Sequence, residues 1–128
     1  MQSPLEVIHE YYKAFSTLDL NAIAEYYCEP SMIIGPQGVL AAANHAALTG
    51  SLTVIINSLK AKGYGRSEFA EPKVTMLGES DALVRGTAVR YTAAGPELER
   101  VPLAYLMHRT EGGWRIAALV TEKPAAQG

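Results

Sequence analysis

Apolar residues recur at helical spacing through the first half of the chain and at every second position through the second half. Leu5, Ile8, Tyr12 and Phe15 form one stripe, broadened by Tyr11 and Leu18, while Glu6, His9, Glu10 and Lys13 lie off it. Ser3-Pro4 starts this helix: the serine hydroxyl can accept a free first-turn amide, and the missing proline N–H costs nothing there. Asp19 is placed to cap a second, short helix predicted over Leu20 to Cys28, with Ile23, Tyr26 and Tyr27 as its large apolar residues. Glu29-Pro30 is expected to end it, because the residue before proline is pushed out of the α region. Met32-Ile33-Ile34 is a short β-prone run, turned at Gly35-Pro36-Gln37-Gly38, with Val39-Leu40 as its partner. Asn44 caps a long third helix over about His45 to Lys62. Its apolar face is Leu48, Leu52, Ile55, Ile56 and Leu59, and Gly63 is its left-handed terminator.

From Arg66 the period is two. Strands are predicted over Ser67 to Leu77, Ala82 to Thr92, Glu99 to Arg109 and Trp114 to Thr121, joined by turns rich in glycine, proline and acidic residues. Helices first and a meander last predict an α+β fold, a curved antiparallel sheet with three helices packed on one face. Neither strand face is cleanly polar. Leu83, Arg85, Thr87, Val89 and Tyr91 alternate with Ala82, Val84, Gly86, Ala88 and Arg90. A half-solvated antiparallel sheet should alternate apolar and polar. Both faces are therefore expected to be covered, one by helices and the other by a second copy, giving a homodimer through the sheet. The tail, Lys123 to Gly128, is expected to fray.

The length, 128 residues, favours one domain over 1–128, with an ordered core of about 4–122. Charged residues are 19% of the chain, below the usual ~25%. The net charge of -2 supplies no basic field for nucleic acid, which is excluded as a partner. Cys28 is the one cysteine, so no internal disulfide can form. The first residues lack a signal-peptide pattern, and no apolar run approaches a membrane span. A cytoplasmic protein with no membrane partner is the expectation.

The chain resembles the nuclear transport factor 2-like superfamily, which includes SnoaL-like proteins and steroid Δ-isomerases. The residues that carry the resemblance are Leu18-Asp19 before a short helix with Ala22-Ile23, Tyr27 just before a short strand, and the terminal strand pair. The most specific stretch is Arg109-Thr110-Glu111-Gly112-Gly113-Trp114-Arg115-Ile116, a glycine turn entering a tryptophan strand. The resemblance covers about Pro4 to Thr121 and rests on the order of elements. It implies a cone-shaped sheet, helices across its mouth, a pocket between them, and dimers through the sheet. The superfamily shares a shape rather than a chemistry, so function is argued from the site.

Steroid isomerisation needs a carboxylate base, and a tyrosine with a protonated acid to hold the oxyanion. The resemblance puts Tyr11 at the tyrosine position, Gly35 at the base position, and Leu103, or Ala104 one residue on, at the acid position. Two of the three groups are missing and that mechanism is rejected. His108 reads first as an edge or interface histidine; it is also the one histidine able to reach a cavity, where with Tyr11 it would be the candidate acid–base group. Asp19 and Asp81 read as a cap and a turn residue. No metal is expected, because the histidines are far apart and Cys28 has no sulfur partner. No cofactor is expected either.

An aromatic set with a few polar tips remains: Tyr11, Tyr12, Phe15, Tyr27, Tyr91 and Tyr105, with Asn57 and Arg85 as polar partners. It describes a small-molecule pocket or an ordinary core. Arg85 and Arg90 lie on opposite faces, so at most one points inward, where it would favour an anionic or carbonyl-bearing ligand; otherwise it is a rim ion pair with Glu97 or Glu99. The leading expectation is a binder of a small hydrophobic, carbonyl or anionic molecule. The alternatives are a SnoaL-like isomerase, cyclase or dehydratase using His108 or a pocket tyrosine, and a non-catalytic dimeric interaction module.

Overall fold

In the first helix, α1 (Pro4–Ser16), Ser3 and Glu6 close a capping box: the Glu6 N–H donates to Ser3 Oγ, and the Ser3 N–H donates back to the Glu6 carboxylate. The structure is a computed structural model that describes residues 2–122; the expectation for Lys123 to Gly128 lies outside the described residues. Leu18 reverses the chain at φ 59, and the Asp19 carboxylate accepts from Asn21 and Ala22 to start α2 (Leu20–Ala24). Of the predicted stripe, Ile8, Tyr11, Tyr12 and Phe15 are buried, Leu5 and Leu18 are half-buried, and Val7 is buried beside them.

The second helix is shorter than its periodicity predicts. Tyr27 opens strand β1 (Tyr27–Gly35) instead of continuing α2. The reason is non-local: the Ile116 N–H donates to the Tyr26 carbonyl at 2.8 Å, and Tyr27 pairs with Ile116 in the last strand. Sheet pairing there outweighs one more helical turn. Glu29-Pro30 consequently lies inside β1, where the register shifts between Tyr27 and Met32. Proline, having no N–H to donate, is accommodated at such an irregularity.

Pro36-Gln37 turns β1 into the edge strand β2 (Gly38–Ala42), and Gly38 adopts the φ of 126° that the turn requires. The third helix, α3 (His45–Ala61), starts where Asn44 caps it and ends before Gly63 at φ 77. The meander follows as β3 (Tyr64–Met76), β4 (Asp81–Thr92), β5 (Glu97–Thr110) and β6 (Gly113–Thr121). The described residues form one six-stranded sheet in the order β2-β1-β6-β5-β4-β3. Every neighbouring pair is antiparallel except β1 with β6, which is parallel. The sheet is therefore mixed, a departure from the expected all-antiparallel arrangement. β2 and α3 lie between β1 and the meander, and β6 returns beside β1.

The three helices cover one face. Beneath them β4 presents Ala82, Val84 and Ala88, all buried, and the half-buried Gly86. Small residues here let the aromatic side chains of α1 and β3 approach the sheet. At Gly86 the reason is direct: a Cβ would lie 2.5 Å from the Phe69 ring and 2.9 Å from the Ala70 carbonyl. A register shift between Ala70 and Lys73, with Glu71 at φ 53, bends β3 and lays Phe69 over β4. Beyond that bend, Glu71 to Ser80 are exposed.

Candidate functional site

Between the helices and the sheet lies a chamber of about 90 Å³. From α1 it is lined by Tyr11, Tyr12 and Phe15, and from α3 by Leu52 and Ile55. The sheet contributes Ile33, Ser67, Ala88, Arg90, Leu103, Tyr105, Leu119 and Thr121. Each reaches the chamber for a local reason. The α1 residues lie on its one apolar stripe. Ala88 and Arg90 share a β4 face, and Leu103 and Tyr105 share the matching β5 face, because Val84 opposes Tyr105 and Gly86 opposes Leu103 in register.

The phenols are paired. Tyr11 and Tyr27 share a hydroxyl–hydroxyl bond of 2.7 Å, and Tyr12 and Tyr105 one of 2.9 Å. Tyr11 also stands at the centre of an aromatic cluster, with the rings of Tyr12, Phe15, Tyr26, Tyr27 and Tyr105 within 6.0 Å of its own. Burial pushes the Tyr11 hydroxyl up to about 12 and Tyr12, Tyr27 and Tyr105 upward as well. These hydroxyls stay protonated at neutral pH. In each pair one proton is spent between the two oxygens and the other is left to donate. The Tyr12–Tyr105 pair, both of whose members line the chamber, can thus offer it one O–H.

Arg90 supplies the charge. Its Nη1 donates to Glu99 Oε2 at 2.5 Å, and its Cζ lies 5.8 Å from the centre of the Phe15 ring. Among the described residues, its Nε–H is buried with no acceptor. Glu99 also receives Lys62 at 3.4 Å. Two cations and one carboxylate leave one positive charge in excess. Burial pushes the Glu99 carboxyl up, but the hydrogen bond and charge of Arg90, with Lys62 behind them, outweigh it and hold the group below its ordinary range. Among the described residues, no Asp, Glu or His lines the chamber.

Of the residues nominated from sequence, Tyr11, Tyr12, Phe15 and Tyr105 come together around the chamber, and Tyr27 backs them through Tyr11. Four others, Asn57, Arg85, Tyr91 and His108, do not join. Asn57 is exposed on the outer side of α3. Arg85 is exposed on the opposite face of β4, because five residues from Arg90 is an odd step along a strand. Tyr91 lies on that same outer face, with its hydroxyl donating to Glu68 at 3.2 Å and Arg66 stacked over its ring at 4.1 Å.

His108 is likewise on the outer face, exposed at the end of β5, where Nδ1 lies 2.8 Å from Asp81. It takes the edge position and does not reach the chamber. The inward arginine is Arg90, and its rim ion pair is with Glu99; Glu97 pairs with Arg100 instead. The signal that distinguishes Arg90 from Arg85 was present in the chain: Arg90 shares its face with Ala82, Gly86 and Ala88, small residues that make room for a helix layer.

Gly35 and Leu103, the two positions without a carboxylate, both neighbour Thr121 of β6. Leu103 lines the chamber, while Gly35 stands at the end of β1, where a Cβ would meet Thr121 Oγ1 at 2.8 Å. His9 is exposed on α1, and His45 opens α3 with Nε2 2.8 Å from the Tyr27 carbonyl. Cys28 lies in β1, not at a helix end, and burial raises its thiol. Among the described residues, no group of three or more His, Cys, Asp or Glu could hold a metal ion. Among the described residues, no helix is long and apolar enough to cross a membrane.

Helices laid over one face of a curved sheet, with an aromatic chamber between them, define the NTF2-like class of α+β proteins. Residues 5–124 match the family described as NTF2-like protein (DUF6841), and the chain belongs to that family. No curated protein matches the sequence. Among solved structures, a protein of unknown function with a cystatin-like fold from Nostoc punctiforme superposes with a TM-score of 0.78 at 10% identity, over 94% of this chain and 89% of that one. An NTF2-like protein from Novosphingobium aromaticivorans gives 0.76 at 19% identity, over 96% and 80%. A ketosteroid isomerase-like protein from Erwinia carotovora atroseptica gives 0.62 at 19% identity, over 94% and 93%. At these identities the likeness is one of fold.

Proposed function

We propose that this protein binds a small organic molecule whose oxygen-bearing head, a carboxylate or carbonyl, sits at Arg90 and whose apolar part packs against the tyrosines. The observation that carries this reading is the buried Nε–H of Arg90, left without an acceptor at the wall of an aromatic chamber. A buried donor without a partner costs about 1–3 kcal/mol. A ligand oxygen would remove that cost, and the spare O–H of the Tyr12–Tyr105 pair is a second donor. The site is built to donate hydrogen bonds. With neutral phenols and no carboxylate or imidazole in the chamber, it holds no group suited to accept a proton near neutral pH, which favours a binder over an isomerase or dehydratase.

The test is calorimetric titration of the protein and of Arg90→Met with small carboxylates and with the matching primary alcohols. Acids should bind the parent protein and lose at least tenfold in the variant, with the alcohols weaker throughout. Equal binding of acids and alcohols would overturn the role given to Arg90.

The outer face of the sheet supports a homodimer. Ile34, Leu83, Ala104, Leu106 and Val120 are half-buried there, and Met32 is 39% exposed. A second copy of the same face would cover them. Leu106→Glu should convert a dimeric mass by light scattering to a monomeric one; a monomer before mutation removes this part of the reading.

A further inference from the structure

A second concavity, a groove of about 830 Å³, runs between β2 and α3. It is bordered by Pro36, Val39, Leu40 and Val54. Val54 is 73% exposed, Val39 61% and Leu40 58%, and the fold itself gives them nothing to pack against. Ile33, Ile55 and Thr121 line both this groove and the chamber, so the two adjoin at these side chains. Ile33 comes from β1 and Ile55 from α3, and both are half-buried at the seam.

The two volumes have a consequence. An apolar cavity of roughly 150 Å³ is what a benzene molecule occupies. The chamber, at about 90 Å³, is smaller than that and holds a head group with only a few carbons. Whatever carries that head must leave the chamber. Past Ile33 and Ile55 the groove presents Val39, Leu40 and Val54, with Gln37, Ser51 and Thr121 as its polar lining.

Resting on the chamber reading above, we infer that the ligand is a straight-chain monocarboxylic acid, its carboxylate held at Arg90 and its alkyl chain running between Ile33 and Ile55 into the β2–α3 groove. The excess positive charge of Arg90, Lys62 and Glu99 selects the anion. Val39, Leu40 and Val54 then become the walls of the chain's path. A ring system does not fit within the chamber itself.

The experiment is a calorimetric series from butanoate to dodecanoate, below micellar concentrations, on the parent protein and on Arg90→Met, Val54→Gln and Leu40→Thr. The groove variants are neutral and at exposed positions, so they alter neither the field at the head nor the buried core. Affinity should rise by up to about fourfold per added methylene until the groove is filled. Val54→Gln and Leu40→Thr should flatten that rise and leave butanoate unaffected, while Arg90→Met should weaken every acid.

Butanoate binding with no gain on lengthening would overturn the alkyl path and leave the chamber reading standing. A rise that survives both groove variants would overturn the route. A change of mass by light scattering in those variants, with the rise unchanged, would make the groove a contact between copies and overturn it likewise. No binding of any acid to folded protein would remove both readings.

Discussion

Strand β4 carries two arginines five residues apart, and they belong to different parts of the molecule. Arg90 is held against Glu99 and Phe15 at the chamber wall, whereas Arg85 stands exposed on the outer face. The same division runs through the tyrosines. Tyr105 is buried and bonded to Tyr12, while Tyr91 lies outside, bonded to Glu68. Residue type does not separate a site residue from a surface one here; strand parity and the helix layer do. On the helix-covered face, polar groups are desolvated and few, so each hydrogen bond counts. Exposed pairs outside it, such as His108 with Asp81, compete with water.

The largest break in this contrast should come at Gly86. Gly86→Val drives a side chain into Phe69 and the Ala70 carbonyl and should cost about 3 kcal/mol by chemical denaturation. Thr87→Val, one residue on and facing outward, should stay within about 0.5 kcal/mol. Equal effects would mean that the helix-covered face is not tightly packed at β4.

The two arginines come next. Arg90→Met leaves Glu99 with Lys62 alone and should cost about 2 kcal/mol, while Arg85→Met should be neutral within about 0.5 kcal/mol. Tyr105→Phe should then cost about 1 kcal/mol by leaving the buried Tyr12 hydroxyl without its partner, with Tyr91→Phe close to zero. Comparable losses from the two tyrosines would contradict the burial contrast.

The smallest effect is in pH. Glu99 has its pKa lowered by folding, so its contribution is fully present above the ordinary carboxylate range and lost as pH falls through its folded value. Stability should therefore decline below about pH 4.3, and less steeply in Glu99→Gln. An unchanged acid profile in Glu99→Gln would remove Glu99 from the account.

Much of the fold was legible from short-range signals. Ser3-Pro4, Asp19, Asn44 and Gly63 mark helix ends through hydrogen bonds and dihedral limits that reach only a few residues, and all four act as expected. The hairpin at Gly35-Pro36-Gln37-Gly38 and the turns of the meander are local in the same way. The misreading at Tyr26 to Cys28 is the informative one. Those residues continue a helical stripe, but β6, some ninety residues later, claims their backbone. A window around Tyr27 contains nothing of Ile116.

The site was legible to the same depth. The aromatic stripe of α1 identified Tyr11, Tyr12 and Phe15, since a helix has one buried face and these lie on it. Asn57, Arg85, Tyr91 and His108 were placed by chemical type, and type says nothing about which side of an element is covered. The alternation of β4 and β5 divided their residues into two sets by itself, because the strand period is two. The small residues Ala82, Gly86 and Ala88 mark the set that faces the helices, and the packing of α1 and Phe69 over β4 fixes it. The physical reason is range: caps, turns and periods act between neighbours along the chain, whereas the chamber, Arg90 with Glu99, and the parallel seam of β1 and β6 exist only once distant segments are packed together.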